Sequence, residues 1–158
     1  INLFKYEGAI DLDRPLSLLL EETLKRDPLP WRPDLIVPVP LHISRLRERT
    51  FNQSQLLARR LAGRLNVPVS SGLLVRTRKT PIQQGLDLES RKKNLRDAFS
   101  LTQRLNGERV LLVDDVLTTG STARACSHTL KSGGAEAVTV VESARASRHL
   151  LLPGQDKF

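Results

Sequence analysis

The stretch that decides the fold is V-L-L-V-D-D-V-L-T-T-G-S-T, residues 110–122. Its four leading apolar residues, Val110–Val113, predict a short strand that is buried on both faces, as parallel strands usually are. Two carboxylates, Asp114 and Asp115, follow directly, and a hydroxyl-rich turn then opens a helix. Ligands of α/β sheets bind just past the carboxyl ends of the strands. The strand–loop–helix unit Val110–Gly133 therefore predicts a ligand site.

The turn before this helix has the composition of a phosphate-binding loop. A helix N-terminus presents unpaired N–H groups and the positive end of the helix dipole. Glycine lets the backbone approach a ligand closely, and the neighbouring hydroxyl groups can donate further hydrogen bonds. The residues predicted to bind a phosphate are Thr118, Thr119, Gly120, Ser121 and Thr122.

Asp114 and Asp115 cannot bind the same phosphate, because their negative charges would repel it. They suit a neighbouring group that carries donor hydroxyls or a divalent cation. A sugar phosphate satisfies both halves of the motif, whereas a helix cap and a simple turn would each explain one half alone. A G-x-x-x-x-G-K-[ST] P-loop and a G-x-G-x-x-G dinucleotide turn are both absent from the sequence.

Strand and helix patterns alternate along the rest of the chain, which predicts an α/β fold with a mainly parallel sheet. The predicted elements are a helix from Asp13, a strand at Leu35–Val37, a helix capped by Asn52 with Gln55 in a capping box, a strand at Leu73–Val75, a helix capped by Ser90 and a strand at Ala137–Val141. After Ser143 the pattern fades, and the tail is expected to be partly disordered. The predicted inner helix faces are Leu16, Leu19, Leu20 and Leu24; Leu57, Ala58, Leu61, Ala62 and Leu65; Leu95, Ala98 and Phe99; and Ala123, Cys126 and Leu130.

The composition limits the class of protein. A length of 158 residues with 39% apolar residues predicts one domain, residues 1–158. The formal charge of +8 favours an anionic partner, such as a phosphorylated metabolite, nucleic acid or an acidic protein. The single cysteine excludes an internal disulfide and fits the cytoplasm, and no apolar run approaches the roughly 20 residues that span a membrane. The chain begins with Ile1 and has no methionine, which suggests a fragment of a longer protein.

Residues 110–122 closely resemble the 5-phosphoribosyl-1-pyrophosphate signature of type I phosphoribosyltransferases. Further segments, from about Phe4 to Ala146, resemble the ComF or GntX-like competence protein family. Thr50 departs from the family, whose members commonly carry glycine before the Phe-Asn-Gln segment, and the family's four-cysteine zinc finger has no counterpart in this sequence. The residues that carry the wider resemblance are Pro38–His42, Arg45, Arg49, Phe51–Ser54, Gln84, Leu86, Arg91, Asn94, Ala98 and Phe99.

This resemblance implies a parallel sheet flanked by helices with a small hood, and transfer of phosphoribosyl to a nitrogen acceptor with loss of pyrophosphate. Thr118–Thr122 would bind the 5′-phosphate, and Asp114 and Asp115, the implied catalytic residues, would bind the ribose hydroxyls. Arg76–Glu89 would form a mobile flap. Mg²⁺ would be held mainly by ligand oxygens, with Asp114 or Asp115 as the alternative protein ligands. The implied pyrophosphate turn is Val39, Pro40 and Leu41, and further implied ligand contacts are Arg45, Arg49, Arg78, Lys79 and Arg91.

Three functions stay open at this point: an active phosphoribosyltransferase, a sensor that binds the ligand without turnover, and a DNA-binding competence protein. Single-stranded DNA and the competence machinery are alternative partners, as is a second copy of the chain in a homodimer. The six aromatic residues (one Trp, one Tyr and four Phe) argue against base stacking. His42, His128 and His149 are candidate bases by type only. Arg45, Arg47 and Arg49 follow the implied pyrophosphate turn, and a split role is predicted for the arginines, with Arg45 or Arg49 on the ligand and Arg59, Arg60 and Arg64 on any DNA.

Overall fold

The computed structural model describes residues 13–41, 46–47, 51–77, 98–115 and 120–142, together with the backbone of 147–150. The described chain contains both helices and strands, as the sequence predicts. In chain order the elements are α1 (Asp13–Arg26), β1 (Leu35–Pro38), α2 (Gln53–Leu65), β2 (Leu74–Arg76), β3 (Phe99–Leu101), β4 (Arg109–Asp114), α3 (Ser121–Ser132), β5 (Ala137–Glu142) and β6 (Ser147–Leu150).

The main sheet has the strand order β1-β4-β5-β6. Strand β4 lies between β1 and β5 and runs parallel to both, and β6 pairs antiparallel with β5. The register places Leu35 beside Val110 and Asp114 beside Glu142. The predicted mainly parallel sheet is therefore confirmed, and its carboxyl edge carries the acidic end of β4.

Helices cover both faces of the main sheet, and this explains the uninterrupted apolar run of β4. Alternate residues point to opposite faces of a strand. Val110 and Leu112 join the core under α3, while Leu111 and Val113 join the core under α1 and α2. All four side chains are fully buried. Since neither face of β4 meets water, the pattern of β4 is continuous rather than alternating.

Strands β2 and β3 form a separate antiparallel pair that packs beside the end of α3. The double glycine at this helix end, Gly133 and Gly134, allows a very close approach. A Cβ on Gly134, whose φ is +111°, would lie 2.1 Å from the backbone oxygen of Leu105. The predicted termination of α3 by these glycines is confirmed, and a side chain at Gly133 would collide with Leu101 of β3.

Several sequence predictions are wrong in detail. Phe99 was expected on a helix but begins β3, where its ring contacts the guanidinium of Arg76 at 5.5 Å. The sequence predicted no regular element after Ser143, yet β6 at Ser147–Leu150 pairs with β5, and the rest of the tail lies outside the described residues. Leu19 is 41% exposed, because the buried arc of α1 centres on Leu20 and Leu24. Among the described residues, no helix is long and apolar enough to span a membrane.

Candidate functional site

The carboxyl ends of β1 and β4 lie side by side. Pro38 is the register partner of Val113, and the N–H of Val39 donates to the Val113 carbonyl at 2.9 Å. The residue after Val113 is Asp114, so the turn that begins at Val39 starts next to the acidic pair. These two segments are about 75 residues apart in sequence, yet they meet at one edge of the sheet. Asp34 and Arg109, at the opposite ends of the same strands, are in contact across the same separation in sequence.

Asp114 is a buried carboxylate with defined partners. Its Oδ1 accepts hydrogen bonds from the backbone N–H of Asp115 at 2.8 Å and from the hydroxyl of Ser54 at 3.3 Å. Burial raises the pKa of Asp114 well above its usual value, and the nearby charge of Asp115 raises it further. Asp115 is half-buried and therefore more accessible to a ligand. Of the predicted acidic pair, Asp114 is therefore buried and Asp115 is partly exposed.

Glu142, the last residue of β5, is a neighbour of Asp114 that sequence reasoning missed. It is 1% exposed and is the register partner of Asp114 in the parallel β4–β5 pair. Register partners project to the same face of a sheet, and the charge of Glu142 contributes to the raised pKa of Asp114. The available signal was that two apolar runs, V-L-L-V and V-T-V-V, each end in an acidic residue.

Helix α3 begins next to this edge with the predicted glycine. Gly120 is the N-cap, with φ +70° and ψ 0°, a left-handed conformation that favours glycine. The first turn contains no acidic residue, and Gly120 makes no side-chain cap, so within the described residues the first turn itself adds no negative charge to the positive end of the helix. Ser121 and Thr122 occupy the first turn and are half-buried. These features suit an anion.

Several predicted site residues lie outside the described part of the chain, as does nearly all of the predicted flap. Arg76, the expected first flap residue, belongs instead to β2, and the N–H of Thr77 donates to the carbonyl of Ala98 at 2.9 Å. Arg47 is exposed. His128 is exposed on α3, which gives it no contact that would mark it as a base. The site candidates outside the described residues are Thr118, Thr119, Arg45, Arg49, Arg78, Lys79, Arg91 and His42.

The start of α2 contacts both halves of this site, a feature that the sequence did not predict. Asn52 occupies the predicted N-cap position, but the predicted capping box does not form. Its Nδ2 donates instead to the carbonyl of Val39 at 3.0 Å, and Ser54 donates to Asp114 as described above. The Phe51–Ser54 segment carried the family resemblance, but its contacts depend on tertiary structure.

The residues at the sheet edge fit a Mg²⁺ ion whose other ligands are oxygen atoms of a bound ligand or of water. No cluster of three or more His, Cys, Asp or Glu side chains within the described ranges could hold a metal by itself. Mg²⁺ in phosphate sites keeps water and ligand oxygens and uses one or two carboxylates. Asp115, half-buried beside the buried Asp114, can supply such a carboxylate.

Comparison with known proteins identifies the group to which this arrangement belongs. Residues 52–152 match the sequence model of the phosphoribosyl transferase domain. The chain belongs to the phosphoribosyltransferase domain family. This phosphoribosyltransferase domain is 38% identical over 152 residues to competence protein F of Haemophilus influenzae and 40% identical over 143 residues to DNA utilization protein YhgH of Escherichia coli. The expected resemblance to the competence protein family is confirmed.

The two alignments cover 92% and 89% of this phosphoribosyltransferase domain but 66% and 63% of the relatives, so the chain spans slightly less than two thirds of their length. Among solved structures, the glutamine phosphoribosylpyrophosphate amidotransferase of B. subtilis superposes with a TM-score of 0.53 at 21% identity. That match covers 90% of this chain and 31% of the amidotransferase. At this identity the likeness shows the fold, and the predicted type I phosphoribosyltransferase fold is confirmed.

Proposed function

We propose that this phosphoribosyltransferase domain binds 5-phosphoribosyl-1-pyrophosphate with Mg²⁺ and transfers its phosphoribosyl group to a nitrogen acceptor. The observation that carries the proposal is the meeting of two predicted half-sites at one sheet edge. The Val39 N–H donates to the carbonyl of Val113, directly before the acidic pair. A ligand with pyrophosphate at one end of a ribose and phosphate at the other fits these half-sites, because the positive N-terminus of α3 begins a few residues further on.

Each part of the site has a separate proposed role. The first turn of α3, from Gly120 to Thr122, would bind the 5′-phosphate, together with Thr118 and Thr119. The carboxylates of Asp114 and Asp115 would accept hydrogen bonds from the ribose hydroxyls. Val39–Leu41 would hold the pyrophosphate, while bound Mg²⁺ would offset the negative charge on the departing pyrophosphate.

Transfer would depend mainly on placement and electrostatics. Positive charge develops on the ribose as its bond to pyrophosphate breaks, and nearby carboxylates stabilise that charge. Asp114 and Asp115 lie at the end of a rigid central strand, so their positions are fixed before the ligand arrives. The nitrogen acceptor then needs only to approach the opposite side of the anomeric carbon.

Titration calorimetry with and without Mg²⁺ tests the binding step. We expect saturable heat with 5-phosphoribosyl-1-pyrophosphate plus Mg²⁺, and no heat at millimolar ligand would contradict the proposal. Release of pyrophosphate in the presence of ammonia or nucleobases tests turnover. Binding without release for any nitrogen acceptor would favour the ligand sensor over the enzyme.

DNA binding is a second proposed function, favoured by a specific surface. Arg59 and Arg60 are exposed on α2, on the sheet face opposite α3. Their phosphate contacts would leave the sugar-phosphate site open. The names of two relatives, competence protein F and DNA utilization protein YhgH, agree with a role connected to DNA. We place this activity in the cytoplasm, where the lone buried thiol of Cys126 would stay reduced.

A further inference from the structure

The side chain of Asn52 makes a hydrogen bond that is unusual for an N-cap residue. Asparagine at an N-cap normally accepts a hydrogen bond from the first turn of its own helix. Asn52 makes no such bond and donates to Val39, which lies 13 residues earlier. Its Oδ1 is buried and accepts no hydrogen bond within the described structure. Helix capping therefore does not explain asparagine at this position.

The side chain of Val39 is buried in the core under α3, whereas few hydrogen bonds are available to the backbone around it. It lies between Pro38 and Pro40, neither of which has a backbone N–H. The N–H of Val39 is therefore the one backbone donor in these three residues, and it donates to the Val113 carbonyl. The Val39 carbonyl accepts from Asn52, so both backbone polar groups of Val39 have a defined partner. Removing the Asn52 bond would release the start of the turn.

The same turn of α2 also holds the acidic half of the site. Ser54 is 3% exposed, and its hydroxyl donates to Oδ1 of Asp114. That oxygen also accepts the backbone N–H of Asp115, so the serine helps to fix the rotamer of the buried carboxylate. Residues two positions apart on α2 thus contact the proposed pyrophosphate turn and the proposed ribose-binding residue.

We propose that Asn52 and Ser54 are positioning residues that set the distance between the pyrophosphate and ribose subsites. This inference rests on the proposed function, because it assigns the subsites that α2 joins. Asn52 acts through Val39, and Ser54 acts through Asp114. Neither residue needs to touch the ligand, and the start of α2, where both residues lie, would keep the two subsites in register.

The test uses variants that keep the helix start intact. Asn52→Ser preserves a good N-cap residue without adding charge, but serine is too short to reach Val39. Ser54→Ala removes only the hydroxyl. Asn66→Gly is the matched control, since Asn66 lies at the other end of α2 with φ +51°, a conformation that glycine adopts readily. Calorimetry with Mg²⁺ would use three probes: 5-phosphoribosyl-1-pyrophosphate, inorganic pyrophosphate and ribose 5-phosphate.

We expect ligand-selective losses. Loss of one hydrogen bond changes an affinity by about three- to tenfold. Asn52→Ser should weaken 5-phosphoribosyl-1-pyrophosphate and pyrophosphate by that factor and leave ribose 5-phosphate within about twofold. Ser54→Ala should weaken ribose 5-phosphate and 5-phosphoribosyl-1-pyrophosphate and leave pyrophosphate within about twofold. Equal losses for all three probes, together with a lower melting temperature, would show a merely structural role and overturn the inference.

Amide hydrogen exchange separates this inference from the proposed function, because it needs no ligand. In Asn52→Ser the Val39 amide should exchange at least several times faster, while the amides of α2 beyond its first turn keep their rates. In Ser54→Ala the Asp115 amide should respond in the same way. Unchanged exchange at Val39 and Asp115 would overturn the positioning role even if the parent protein binds the sugar pyrophosphate. Conversely, a parent protein without affinity for the ligand would refute the proposed function alone.

Discussion

Asp114 is an ionisable carboxyl group in a buried position, and this combination predicts opposite effects on stability and binding. Its raised pKa means that the folded state disfavours the ionised form. A raised carboxyl pKa gives stability that is complete below the unfolded pKa of about 4 and is lost as the pH rises through the folded value. At pH 7 Asp114 therefore contributes less to the free energy of unfolding than it does below pH 4.

The variant Asp114→Asn should accordingly melt at the same or a higher temperature at pH 7 and bind the ligand more weakly. Loss of a charge-assisted hydrogen bond costs about 1.5–3 kcal/mol, or roughly ten- to a hundredfold in affinity. Thermal melts between pH 4 and 8, with calorimetry at pH 7, would measure both effects. The comparison variant Asp115→Asn should weaken binding without the gain in stability. An Asp114→Asn protein that melts lower at pH 7 than the parent would contradict this account.

Gly120 allows a second test at the level of a single residue, because its left-handed backbone conformation favours glycine. Replacing it with valine forces a β-branched side chain into a left-handed conformation, which costs about 1–2 kcal/mol in stability, and blocks the approach of a phosphate. Gly107→Val is the matched control, because Gly107 has φ +93° and open space where a Cβ would lie. Both variants should lose similar stability in urea unfolding, but only Gly120→Val should lose ligand affinity. Equal affinities would place the phosphate elsewhere.

At the scale of elements, the contact between the starts of β1 and β4 predicts a pH dependence of stability. Asp34 accepts hydrogen bonds from the backbone N–H and the side chain of Arg109, at 2.9 and 3.0 Å. The Arg109 side chain is the main cause that lowers the pKa of Asp34 to about 2. A lowered carboxyl pKa gives stability that is complete above about pH 4 and is lost as the pH falls through the folded value.

Asp34→Asn should therefore unfold at a lower urea concentration than the parent at pH 7, and the difference should shrink between about pH 4 and 2. The effect should be modest, because both side chains are solvent-exposed and screened. Glu22→Gln, on the exposed side of α1, serves as the control for a lost surface carboxylate. A difference that stayed constant down to pH 2 would mean that the ion pair is not its source.

The elements also show what sequence can reveal. Strand β4, the start of α3 and the double glycine at its end were predictable, because burial on two faces, a glycine and hydroxyl-rich helix start and a helix stop are local patterns. Phe99 was placed on a helix because its apolar spacing fits either a helix or a strand, and only pairing with β2 decides between them. The Asn52–Val39 and Asp114–Glu142 contacts were not predictable, since they join segments that meet only after the sheet has formed.

For the whole molecule, the proposed ligand site and the proposed DNA surface lie on different parts of the fold. Arg59 is exposed on α2, whereas the guanidinium of Arg64 pairs with Glu21 of α1. The sequence-based grouping of these arginines therefore needs refinement, because Arg64 already has a carboxylate partner. Each contact between the protein and a DNA phosphate releases counterions. The salt dependence of the DNA affinity therefore reports how many such contacts are made.

We expect Arg59→Ala to flatten the slope of log affinity for DNA against log salt by about 0.7–0.9. Arg64→Ala should change the slope less, and Arg104→Ala, an exposed arginine on the α3 side of the sheet, should not change it. The salt series would be repeated with saturating 5-phosphoribosyl-1-pyrophosphate, which should leave DNA affinity unchanged. Strict competition between the two ligands would place them on one surface and contradict the split.

The pairing of β1 with β4 also affects how the protein can fold during synthesis. The start of β1 meets the start of β4, as shown by the contact between Asp34 and Arg109, which are 75 residues apart. At about 5–20 residues per second, a ribosome needs roughly 4–15 s to make the missing segment. On its other edge, β1 contacts Val69, which emerges much earlier. Until β4 emerges, the apolar strand β1 has one unpaired edge. An unpaired strand edge can pair with another chain, so the risk of aggregation is raised during this interval.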